Sequence, residues 1–61
     1  MFVEYDWTFN VYRFRFGADV FTDFRGFRSA DSLADIKAIL ALGSCKLGKK
    51  TDDRTWAVVV A

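Results

Sequence analysis

The chain has 61 residues with seven phenylalanines, two tyrosines, two tryptophans, one cysteine, no histidine, and a formal net charge of +1. At that length it makes one domain, residues 1–61, near the lower limit for folding without disulfides or metal, so most of the aromatics are needed for the core. The composition excludes an internal disulfide and the usual zinc ligand sets, and the balanced charge gives no general case for nucleic acid or an anionic membrane.

From Val3 to Val11 the odd positions are apolar (Val3, Tyr5, Trp7, Phe9, Val11) and the even ones mostly polar, the alternation of a half-buried strand. At Val11 and Tyr12 the phase flips, and Tyr12, Phe14 and Phe16 become the apolar set around Arg13 and Arg15. A β-bulge produces such a slip. The competing interpretation is a turn near Asn10, but no glycine or proline stands there to permit a tight one. The expectation is one long, central, bulged strand.

Gly17-Ala18-Asp19 suits a three-residue hairpin connection into a second strand over Val20 to Arg28. Register arithmetic then sets Phe16 opposite Val20, Arg15 opposite Phe21, Arg13 opposite Asp23 and Tyr12 opposite Phe24. Ser32 with Asp35 three residues later forms a capping box for a helix from about Leu33 to Leu42, with Leu33, Ile36, Ile39 and Leu40 on one face. Gly43 supplies the left-handed stop that a helix end commonly needs. Thr55 to Ala61 reads as a last strand. The expected fold is α+β: a small three-stranded antiparallel sheet in ββαβ order, strand order 2-1-3, with one helix on one face.

Three chemical motifs invite attention. Gly43 to Thr51 satisfies GxxxxGK, yet it follows a helix instead of opening one, and Lys50 stands where a phosphate-binding loop needs serine or threonine. It reads as a solvated basic loop, Lys46, Lys49, Lys50 and Arg54. Cys45 has no histidine base, and a helix C-terminus disfavours a thiolate. Asp31 and Asp35 are accounted for by the helix start, and Asp52 and Asp53 by a turn. Without histidine, acid-base catalysis has little support, so no enzyme, cofactor or metal is expected.

What remains is arginine interleaved with aromatics: Trp7, Phe9, Arg13, Arg15, Phe21, Arg25, Phe27 and Arg28. One short helix covers one face of a sheet, so surplus aromatics call for another covering, either a second copy or another protein. The expectation is a non-enzymatic protein-interaction module, of the kind found among accessory or inhibitory proteins of phages and mobile elements that bind a host protein, with a homodimer as one form. The alternative is a nucleic-acid-binding protein using the arginine and aromatic sheet face together with the basic loop. A single cysteine, no apolar run of membrane-spanning length and an acidic N-terminus unlike a signal peptide point to the cytoplasm and away from the membrane.

Overall fold

The computed structural model describes residues 1–17 and 20–61. The chain runs β1 (Phe2–Asp6), β2 (Val11–Phe16), β3 (Val20–Phe21), β4 (Ser29–Ala30), α1 (Leu33–Leu42), β5 (Cys45–Asp52) and β6 (Thr55–Val60). The sheet is antiparallel and six-stranded, in the order β3-β2-β1-β6-β5, with β4 attached to β2. The class is α+β, but the expected three-stranded sheet of order 2-1-3 is corrected to this larger one. Three features account for the extra strands.

The first is a true turn where a bulge was expected. β1 ends at Asp6 and β2 begins at Val11, paired directly across Trp7–Asn10. Asn10 takes the left-handed conformation (φ 56°), which asparagine tolerates better than most residues. Asp6 supports the turn: its Oδ1 accepts from the backbone N–H of Thr8 at 2.9 Å and of Phe9 at 3.4 Å. The Tyr5 hydroxyl donates to Asn10 Oδ1 across the base. Turn chemistry from Asp and Asn thus replaces the glycine that the sequence lacks there.

The second is the shortness of β3. Phe16 faces Val20 and Arg15 faces Phe21 as the register arithmetic required, although Ala18 and Asp19 of the expected connection lie outside the described residues. After Thr22, whose N–H donates to the Phe14 carbonyl, the chain leaves the sheet for a tight turn at Arg25 (φ 53°) and Gly26 (φ 88°). Positive φ at both central residues is the signature of the two-residue hairpin turn, here closed by paired bonds between Phe24 and Phe27. The chain returns as β4, so Arg13 faces Ser29 and Tyr12 faces Ala30, in place of the expected Asp23 and Phe24.

The third is that Lys46, Lys49 and Lys50 lie on a strand, not in a loop. β5 forms against β6 with register breaks between Leu47 and Lys50 and between Lys50 and Asp52. β6 is therefore interior, paired with β1 through Phe2↔Ala57, Val3↔Trp56 and Glu4↔Thr55, and is not the open edge expected of the last strand.

The helix occupies the expected residues. Ser32 caps it, its hydroxyl accepting from the Asp35 N–H at 3.2 Å. The stop differs in detail: Gly43 has φ −103°, and the left-handed residue is Ser44 (φ 58°). Ile36, Ile39 and Leu40 bury against Val3 and Phe14, with Tyr12, Phe24, Leu47, Trp56 and Val58 packed partly buried around them. Side chains alternate along a strand, so Val3 and Phe14 facing the helix send Phe2, Glu4, Arg13 and Arg15 to the opposite face, which no helix covers.

Candidate functional site

The open face is built from cross-strand pairs, and directly paired residues of antiparallel strands share a face. One row runs Phe21, Arg15, Phe2, Ala57 across β3, β2, β1 and β6; the next runs Ser29, Arg13, Glu4, Thr55 across β4, β2, β1 and β6. Acids lie on β1 and bases on β2. Arg15 Nε stands 3.1 Å from Glu4 Oε1, and Arg13 Nη2 stands 3.4 Å from Asp6 Oδ2. The long side chains lie along the sheet, because a guanidinium can stack on an aromatic ring while its edge serves a carboxylate. Arg13 sits 5.3 Å from the Phe9 ring centre and 5.2 Å from that of Phe21, and Arg15 lies 5.3 Å from the Phe2 ring.

The β1–β2 turn extends this surface. Trp7 and Phe9 are 68% and 67% exposed, and Phe21 at the far side of Arg13 is 52% exposed. Trp7 borders a shallow depression shared with Phe21 and Arg54. Beside Arg13, the gap between β3 and β4 leaves an open groove lined by Phe21, Thr22, Asp23, Arg28 and Ser29.

Of the residues expected to bind a partner, Trp7, Phe9, Arg13, Arg15 and Phe21 come together on the open face and its adjoining turn. Arg28 lies exposed at the groove rim, 3.6 Å from Asp23. Arg25 is exposed in the Phe24–Phe27 turn, and Phe27 points instead toward the helix, lining a recess with Ala30, Asp31, Asp35, Ala38 and Ile39. The basic set is also divided. Lys46 pairs with Val59 on the open face, while Lys50 pairs with Trp56 on the helix side and stands 5.2 Å from its ring. Arg54 belongs to the β5–β6 turn.

Sequence reasoning missed Phe2, Glu4 and Asp6. Once β1 and β2 are separate strands, the even positions of the first and the odd positions of the second share a face, which sets the acids beside the arginines. The signal was present in the opposite charges of the two segments.

Among the described residues, no three His, Cys, Asp or Glu side chains gather into a group that could hold a metal, and no helix is long and apolar enough to cross a membrane. Asp52 is held below the usual carboxylate range, chiefly by the Arg54 N–H that donates to its Oδ1 at 2.9 Å and then by the Thr55 hydroxyl. It is the last residue of β5, where the β5–β6 turn begins. Cys45 is a free, half-buried thiol whose Sγ lies 3.4 Å from the Gly43 carbonyl. No protein-family model, curated protein or solved structure matches the chain.

Proposed function

We propose that the protein is a non-enzymatic binding module of the reducing cytoplasm, whose contact surface is the open sheet face with the adjoining Trp7–Asn10 turn, and whose partner is a protein. The observation that carries this is the Arg13 guanidinium set between the Phe9 and Phe21 rings and tied to Asp6. Exposed aromatics are entropically expensive to order at an interface, and rings already held by a stacked guanidinium lose less on binding. Tryptophan, arginine and other aromatics in one cluster are also the residues that dominate protein interfaces.

Charge favours protein over nucleic acid. A phosphate-binding face needs cations in excess. Here Arg13 and Arg15 stand against Asp6 and Glu4, Arg28 against Asp23, and the lysines divide between the two faces of the sheet. A nucleic-acid strand would find on this face none of the excess positive charge it needs.

The test is affinity capture from host lysate with the wild-type chain and a Trp7→Ala/Phe9→Ala variant, both shown folded by amide NMR spectra. A protein retained by the first and lost by the second supports the proposal. Captured species that ignore the double substitution, or salt-sensitive recovery of nucleic acid alone, overturn it.

A further inference from the structure

The edges of the sheet are poor docking sites. β5, on one side, carries Lys46, Lys49 and Lys50 and two register breaks, and β3, on the other, is two residues long. Charges, bulges and short strands are the devices that block edge pairing. Association is thereby directed to the open face.

The rows of that face are complementary to themselves. Consider a second copy laid face to face about a two-fold axis parallel to the strands and midway between β1 and β2. The rotation carries β1 over the partner's β2 and β6 over the partner's β3 and β4, and leaves the level along the strands unchanged. In the row Phe21, Arg15, Phe2, Ala57 the exposed Phe21 ring then meets the small Ala57, and Arg15 meets the Phe2 ring. In the row Ser29, Arg13, Glu4, Thr55 the Arg13 guanidinium meets the Glu4 carboxylate, while Thr55 is buried, its hydroxyl bonded to Asp52 of its own chain, and adds nothing to the contact. Each cation finds an anion or a ring, and the large side chain finds the small one. A two-fold contact requires this kind of matching of a patch with itself, and packed sheets keep their strands within about 30° of each other, so the central rows stay in register.

We infer that the open face is the interface of a homodimer, with a second copy of this chain as its occupant. This rests on the protein-binding reading and names its partner. Strands about 4.8 Å apart and about five residues long present less area than the roughly 800 Å² per partner of a standard stable interface. The dimer therefore belongs to the weak, concentration-dependent class.

Sedimentation velocity over a concentration series reaching the millimolar range tests it. The wild type is expected to dimerise, and Glu4→Arg and Arg13→Glu are each expected to weaken the dimer at least tenfold, because each sets like charges across the axis. Mixing the two variants restores association, since the mixed dimer has opposite charges at both positions. A second measurement does not depend on how those variants fold. In a Cys45→Ser background, a Phe21→Cys chain mixed with an Ala57→Cys chain should give a mixed disulfide dimer. Each chain then carries a single cysteine, so the bond can form only between two copies. A wild type that stays monomeric throughout overturns the homodimer and leaves the protein-binding reading to its own capture test. A dimer indifferent to charge reversal, or without the mixed disulfide, overturns the assignment of the face.

Discussion

The Phe24 ring occupies the space in which a side chain at Gly43 would begin: a Cβ there would stand 2.5 Å from Phe24 Cζ. Gly43 has φ −103°, open to any residue, so glycine is required at the end of the helix for close approach and not for its backbone freedom. Phe24 in turn stacks on the buried Phe14 ring at 5.4 Å, so the contact joins the helix end to the centre of the core.

Gly43→Ala is accordingly expected to lower stability by about 1 to 3 kcal/mol, the usual range for overpacking. Combining it with Phe24→Leu should cost less than the sum of the two single changes. Urea unfolding midpoints for the four chains check this, and strict additivity would show that the two residues do not compete for space.

Asn10→Gly should leave stability nearly unchanged or raise it slightly, whereas Asn10→Val should lower it by about 1 to 2 kcal/mol, because a β-branched residue resists the left-handed conformation. Thermal unfolding of both variants decides the matter. Equal melting temperatures would remove the turn from its role in ending β1.

Phe14→Ala removes the largest of the five fully packed core side chains among the described residues, and such truncations cost about 3 to 5 kcal/mol. For a domain this small that loss is comparable to its whole stability. Circular dichroism should show a chain largely unfolded at room temperature, and a cooperative melt near the wild-type temperature would contradict the placement of the ring.

The Asp52 carboxyl has its pKa lowered by hydrogen bonds present only in the folded turn. Its stabilisation is therefore complete above the unfolded-state value, about 3.9, and is lost as the pH falls through the lower folded-state value. NMR titration should place the Asp52 midpoint below that of a free aspartate. The stability advantage of wild type over Asp52→Asn should shrink as acid is added below about pH 4. An advantage that grew on acidification would have the wrong sign.

Arg13→Lys keeps the charge opposite Asp6 but gives up the planar group that stacks between two rings. Global stability should change by less than about 0.5 kcal/mol, as at other surface positions. The Phe9 and Phe21 ring signals should nevertheless move toward random-coil shifts, and unchanged ring shifts would show that the rings are held by something else.

The legible parts of the fold were those encoded locally. Ser32 and Asp35 announce the helix start, the spacing of Ile36, Ile39 and Leu40 announces its buried face, and the alternation from Val3 marks extended chain. The bulge at Val11 was misjudged because the phase change it explained is equally the mark of a turn. Asn10 and Asp6 supply what glycine usually does, a possibility visible only in their side-chain bonding. At the candidate site the arginines and aromatics were apparent, but their acidic neighbours were not, since pairing Glu4 with Arg15 requires β1 and β2 to be separate strands.

An α+β chain, the helix with its cap, and a surplus of aromatics over what one helix can cover all follow from local sequence pattern. That Cys45 to Asp52 is a strand, that Thr55 to Val60 is interior, and that the lysines lie on both faces of the sheet emerge only once the strands are paired. The reason is physical. A helix makes its hydrogen bonds within its own segment and so leaves its signature in consecutive residues. A strand such as Cys45–Asp52, with three lysines and a glycine, is held by the partner it pairs with, here the apolar β6, whose paired residues lie three to fifteen positions further along the chain.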